Sequence, residues 1–190
     1  MIEGKLVRLR AVEPSDAENL YRWINDREVT QNLMARYPYS LAWEEDWAKG
    51  AAKAADFSEA RFAIDTLEGV HIGNSGLHNG RPEDRHAELG IMIGEKEYWN
   101  RGYGTDAIAT LVRFAFEQMN LNKVTLGVFE FNDRAHAVYT KLGFVEEGLA
   151  REDYYQDGRY WDIIRMSILR REYDAQNFTT AVEVMESVSI

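Results

Sequence analysis

The stretch Glu88-Leu-Gly-Ile-Met-Ile-Gly-Glu-Lys-Glu-Tyr-Trp-Asn-Arg-Gly-Tyr-Gly-Thr-Asp-Ala-Ile108 decides how the chain folds. Its first residues complete an apolar, strand-like run from about Arg85 to Ile93. Its last residues open a helix from about Gly104 to Met119, on which Ile108, Leu111, Val112 and Ala115 recur at i, i+3, i+4 and i+7. Between the two, Gly102 and Gly104 let the backbone turn tightly and present N–H groups, and a helix N-terminus adds a field that favours an anion. A strand, a glycine turn and a helix start in that order form a phosphate site in chemical terms. Arg101 would add a charge-assisted contact and Thr105 a hydroxyl donor. The same glycines also suit an ordinary tight turn, so the flanking sequence has to decide.

Upstream, Lys5 to Arg10 alternates polar and apolar residues as a strand does, and Pro14 suits a first helical turn. Ala17, Leu20, Tyr21 and Ile24 make one helical face, and a second helix is expected over Leu41 to Ala55. Runs near Arg61 to Asp65, Val70 to His78 and Arg85 to Ile93, parted by turn residues, read as an antiparallel meander. Downstream, Lys123 to Phe129 is rich in β-branched residues. Ala135, Val138, Tyr139 and Leu142 then form a helical face behind an Asn132 N-cap, ending at Gly143. Strands Phe144 to Ala150 and Tyr160 to Leu169 close the pattern through Gln156-Asp157-Gly158. The expected architecture is one mixed α/β domain over residues 1–174. A tail over 175–190 carries Phe178, Val182, Val184, Met185 and Val188, which predicts packing on the domain or on a second subunit in a homodimer.

Composition narrows the function. At 190 residues and 45% hydrophobic content, the chain suits one core and one active site. Without Cys there are no disulfides, thiolate metal sites or Cys nucleophile, and the expected home is the reducing cytoplasm. The opening Met-Ile-Glu-Gly-Lys-Leu-Val-Arg-Leu-Arg has charges where a signal peptide needs an apolar run, and no stretch suits a membrane span. A net charge of −10 repels a phosphate backbone, which argues against nucleic acid. Such a field draws amines, or simply keeps the protein soluble.

Rival chemistries fit less well. Gly102, Gly104 and Ala107 match the dinucleotide pattern Gly-x-Gly-x-x-Gly/Ala, and Glu130 closes the next strand. A dinucleotide loop follows its strand almost at once, however, whereas Gly94 to Arg101 intervene here, and no series of βαβ units follows. No Gly-Lys-Ser/Thr follows the glycines, and no Gly-x-Ser-x-Gly elbow exists. His71, His78, His86 and His136 lack metal-ligand spacing, so no metal is expected.

Together with Asn132 to Phe144 (NDRAHAVYTKLGF), the opening stretch resembles the acetyl-CoA site of the GNAT superfamily of N-acetyltransferases. It is most similar to the branch holding ribosomal-protein-alanine, polyamine and aminoglycoside acetyltransferases. The likeness spans roughly Leu6 to Leu169. It implies a central, mostly antiparallel twisted sheet of six to seven strands flanked by helices. It also implies that Asn100, Arg101, Gly102, Tyr103, Gly104 and Thr105 wrap the CoA diphosphate with backbone amides, that Met92, Ile93 and Gly94 run beside the pantetheine arm, and that Asn132 hydrogen-bonds that arm. The family pattern prefers Gln or Arg at the position of Trp99, so a side-chain contact there is in doubt.

Acetyl transfer needs a neutral amine, a polarised thioester carbonyl and a proton for the departing thiolate. By resemblance Tyr139 is the general acid, although on its helical face it also suits a core tyrosine. Glu88 starts the strand that faces the cofactor and is the candidate base, direct or through water; as an edge glutamate it could instead pair with Arg85. A backbone N–H from Ile91 to Gly94 would meet the oxyanion. Trp23, Tyr37, Tyr39, Trp43 and Trp47 lie where this superfamily builds its acceptor site. The expected acceptor is a small amine or a protein N-terminus. The alternative is a non-catalytic acetyl-CoA sensor, which binds without turnover.

Overall fold

The computed structural model describes residues 1–173, so the expected packing of the tail lies outside the described residues. The first half of the sheet is an antiparallel run of β1 (Ile2–Glu3), β2 (Val7–Ala11), β3 (Ala60–Thr66), β4 (His71–Arg81) and β5 (His86–Ile93). β5 then pairs in parallel with β6 (Lys123–Phe129), and β8 (Arg159–Leu169) and β7 (Val145–Gln156) follow in antiparallel. The order is β1-β2-β3-β4-β5-β6-β8-β7, eight strands instead of six to seven. The extra strand, β1, has two residues and so no alternation to read. β7 runs on to Gln156 as an edge strand exposed along most of its length, bulged against β8.

Alternation along the strands feeds two cores. On one face α1 (Ala17–Ile24) and α3 (Leu41–Ala51) cover Val12, Leu20, Trp23, Ala48 and Ala63, and Met92 packs against them. On the other, α4 (Tyr103–Glu117) and α5 (Asp133–Lys141) cover the larger core of Leu9, Ile64, Leu89, Val124, Leu126 and Met166, joined by Ile91 and Ile93. α3 stops at Ala51, short of the expected Ala55, in a small-residue stretch that leads into turns. A four-residue α2 (Arg27–Thr30) was not legible; the Asp26 carboxylate caps it, accepting from the Glu28 N–H at 2.9 Å.

Two polar clusters fix the frame. Asp106, in the first turn of α4 and buried, accepts from the backbone N–H of Lys5 at 3.1 Å, Leu6 at 2.7 Å and Val7 at 3.0 Å. Under α1, Arg10 donates to both carboxylate oxygens of Asp16 at 2.8 Å and to Asp65 at 2.8 Å. His71 lies beside Asp16, its Nδ1 3.4 Å from the carboxylate, and its Nε2 is 3.0 Å from the Gly73 carbonyl. That carbonyl can only accept, so Nε2 carries the proton. Burial lowers the pKa of His71, which keeps the ring neutral.

Candidate active site

The parallel pairing of β5 with β6 is brief. Register runs His86 to Lys123, Ala87 to Val124 and Glu88 to Thr125, and beyond Glu88 the two strands diverge. Leu89 to Ile93 therefore have a strand partner on the β4 side only. Into this fork opens a cleft of about 380 Å³. Ile91, Met92 and Ile93 line one arm, and Ile108, Ala135, Val138 and Tyr139 line the wall beneath α4 and α5. Glu28, Val29, Asn32 and Leu33 roof it from α2 and the turn after it. Ile93 and Ile108 belong to the core on the α4 side, Val29 and Met92 to that on the α1 side. The cleft thus passes through the sheet and connects its two faces.

The glycine loop sits at the end of the β5 arm. Asn100 and Gly102 both take left-handed backbone conformations, φ 58° and 86°. They swing the chain from a single 3-10 turn at Lys96–Tyr98 into α4, with Gly102 at the N-cap. No side chain caps α4, and the first intrahelical bond is Asp106 N–H to the Gly102 carbonyl at 2.9 Å. The amides of Tyr103, Gly104 and Thr105 are therefore left for an outside acceptor, which suits an anion. Trp99 locks the loop to β5 through Nε1, which donates to the Ile93 carbonyl at 2.8 Å.

Tyr139 is 8% exposed, and the described residues offer its hydroxyl no hydrogen bond. Desolvation alone pushes its pKa up to about 12, so the hydroxyl keeps its proton throughout the physiological range. Asn132 caps α5 with its Oδ1, which accepts from the Ala135 N–H at 3.2 Å; its side-chain amide group remains available to the cleft it lines.

An anion-ready helix start, an open strand fork and a buried, protonated tyrosine meet in one cleft, and the sequence matches the acetyltransferase (GNAT) domain over residues 7–145. The chain belongs to the GNAT acetyltransferases. Among its relatives, YdaF of Bacillus subtilis (strain 168), named as a ribosomal N-acetyltransferase, is 30% identical, covering 90% of this chain and 94% of YdaF. The spermidine N(1)-acetyltransferase of Vibrio cholerae is 30% identical over 87% of this chain and 94% of its own. The crystal structure of the V. cholerae spermidine N-acetyltransferase in complex with CoA and spermine superposes with a TM-score of 0.81 at 30% identity, covering 88% of this chain and 98% of that one. This GNAT chain is accordingly an acetyl-CoA-dependent N-acetyltransferase acting on an amine.

Of the residues expected at the site, Met92, Ile93, Asn100, Gly102, Gly104, Thr105, Asn132 and Tyr139 line the cleft together. Four do not. Gly94 turns away: a Cβ there would lie inside the ring of Trp23, so glycine serves the packing of α1 against β5. The Arg101 guanidinium bends back to the Glu97 carbonyl at 3.2 Å, between the rings of Tyr98 and Tyr103. The Tyr103 ring stacks edge-on against Tyr98, and only its amide stays at the helix start. Glu88 sits at the closed end of the fork, its carboxylate accepting from the Asn79 amide at 3.3 Å. Residues that sequence reasoning missed include Glu28, Asn32 and Arg134. Of the expected acceptor-site aromatics, Trp23 is core, while Tyr37 and Trp43 are exposed.

Proposed function

We propose that the chain acetylates a small cationic amine of the polyamine class, in a ternary complex with acetyl-CoA. The observation that carries this reading is the cleft that joins both faces of the sheet at the β5–β6 fork. Acetyl-CoA, which supplies the acetyl thioester, suits the α4 side, where the uncapped amides of Tyr103 to Thr105 await its diphosphate and the free edge of β5 awaits its arm. The amine suits the α2 side, where the roof of Glu28 to Leu33 narrows the mouth. Carboxylates of Glu28, Asp133 and Asp157 stand along that mouth and the adjoining hollow, beside the rings of Phe131 and Trp161. A cation on a thin aliphatic chain fits such a lining.

Alternation puts Glu88 on the Met92 face, the same side as the amine. Glu88 takes the amine proton through a bridging water. The neutral nitrogen then bonds to the acetyl carbon, the carbon–sulfur bond breaks as the Tyr139 hydroxyl gives its proton to the sulfur, and the second proton that the nitrogen sheds on becoming an amide restores the Tyr139 hydroxyl. A homodimer is consistent with the long exposed edge of β7, where Val145 and Leu149 face solvent.

The test is thiol release from acetyl-CoA with spermidine, spermine, an aminoglycoside and a peptide bearing a free N-terminus. Turnover on the polyamines is expected. Turnover on the peptide alone would move the acceptor to protein N-termini. Binding of acetyl-CoA with no thiol release on any amine would favour a sensor.

A further inference from the structure

A second hollow, of about 320 Å³, opens between the end of α3, the start of β3 and the last turns of α4. It shares no residue with the cleft at the β5–β6 fork. Six alanines, among them Ala11, Ala51 and Ala60, line it where longer side chains would fill it. Phe57, Phe62, Phe114 and Met119 complete the lining, packed on the main core yet only partly buried. Phe62 and Phe114 meet edge-on, their ring centres 5.3 Å apart. Apolar surface gathered in this way is costly to leave in water.

The charged groups at its rim are already engaged. The Asp56 carboxylate accepts from the Ser58 hydroxyl at 2.5 Å and from the N–H groups of Ser58 at 2.8 Å and Glu59 at 3.0 Å. Arg61 donates to Glu59 at 2.7 Å and lies 4.8 Å from the centre of the Trp47 ring. The hollow therefore suits an apolar group, not a charged ligand. The described residues end beside it. Tyr173 packs on Phe116, ring centres 5.0 Å apart, and its hydroxyl donates to the Glu117 carboxylate at 2.9 Å. At about 100° per residue, positions 116, 117 and 114 follow one another round the last turns of α4. Tyr173 thus already reaches from the Phe116 flank of the helix towards the Phe114 flank, where the hollow lies.

We propose that the segment following Tyr173 crosses α4 and seats Phe178 in this hollow, as an apolar strap supplied by the same chain. Phe178 stands five residues beyond Tyr173. Five extended residues span roughly 16 Å, enough to pass half-way round a helix about 10–12 Å wide. A large aromatic side chain removes more apolar surface from water than any other residue type, and this lining asks nothing polar of it. The tether holds Phe178 near the hollow at an effective concentration on the order of mM, which a free ligand or a second copy of the chain has to match.

Because the chain has no Cys, thiols can be introduced in pairs without interference. A55C with N177C probes the hollow, Ala55 being exposed at its rim. L67C with N177C is the control, since Leu67 lies past the other end of β3, roughly 20 Å from Ala60. A short bis-maleimide is expected to join 55 to 177 within one chain, at a rate independent of protein concentration, and to leave the control pair apart. Adding F178D to the first pair should abolish the link. In the otherwise unaltered chain F178D should lower Tm by about 4–8 °C and raise the fluorescence of an added apolar dye. A link between chains that grows with concentration would place the tail on a second copy and overturn the assignment. So would equal linking of the control pair, no link at all, or an unchanged Tm in F178D.

Discussion

Replacing Tyr139 by Phe separates a proton donor from a core tyrosine. The ring is nine-tenths buried and packs 5.8 Å from the centre of Phe144, and Phe preserves that packing. The hydroxyl has no hydrogen-bond partner among the described residues, so its removal sacrifices none of the roughly 0.5–1.5 kcal/mol that a typical bond contributes. Melting should therefore be unchanged or slightly raised. The rate is another matter. With a pKa of about 12, Tyr139 is a weak acid for a thiolate whose ordinary pKa is about 8.5, and in water the transfer would be uphill. The desolvation that raises the tyrosine raises the thiol too, which closes much of that gap in the cleft. Loss of such a donor costs about 10² to 10⁴ in rate, or roughly 3 to 5 kcal/mol of transition-state stabilisation. Before the carbon–sulfur bond breaks the sulfur carries no charge, so ground-state affinity should barely move. Single-turnover thiol release, calorimetry with acetyl-CoA and a thermal melt on one preparation check all three. A folded Phe variant that keeps more than about a tenth of wild-type turnover, with chemistry rate-limiting, would return Tyr139 to the core.

Gly104→Val should lower acetyl-CoA affinity by more than about tenfold, near 1.4 kcal/mol. A Cβ at Gly104 meets Ile93 at an ordinary 3.6 Å, so the variant should fold, and unchanged calorimetric affinity would remove this amide cradle from the site. Burial raises the pKa of Glu44, which is 4% exposed on α3, so its charge opposes folding above the ordinary carboxylate range. Glu44→Gln should raise Tm at pH 8 by about 2–4 °C, the shift that roughly 1 kcal/mol produces in a chain of this size, with the gain gone near pH 4; a lower Tm at pH 8 would refute it. Burial lowers the pKa of His71 in the fold, so its share of stability is present above its ordinary value near 6.5 and is lost as pH falls below that. Desolvation raises Asp16, but bonds from Arg10 and the Glu13 amide outweigh it, so the Asp16 share is lost only at lower pH still. His71→Gln should flatten the decline in Tm between pH 7 and 5, and parallel slopes would show that His71 does not drive it.

What could be read from residues alone was whatever repeats locally. α4 announced itself by fifteen residues with a 3.6-residue apolar period, and the meander by its turns. The glycine turn and Tyr139 stood out because each combines a rare local property with a recurring motif. The fork did not, because where β5 and β6 part is a matter of register between segments more than thirty residues apart. α2 is too short for periodicity, so Glu28 and Asn32 had no signal. Arg134 sits in a polar helix start that looks like solvated surface until Trp99 is seen beneath it. At Gly94, just past the end of β5, only the approach of Trp23 from α1 shows why the residue is glycine. β7 lacks alternation because neither of its faces is well covered.

The hold of Asp106 on residues 5–7 has a consequence for how the chain becomes native during synthesis. β2 can pair with β3 once residue 66 has left the ribosome, yet the carboxylate to which the amides of residues 5–7 donate arrives only with Asp106. At the usual pace of translation those forty residues take roughly 2 to 8 s. Through that interval the nascent chain has a partial sheet with an unsealed edge. The helix turn that seals it carries the diphosphate amides as well, so the early edge and the cofactor loop mature in one event. A chain stalled before residue 106 would hold a meander with neither.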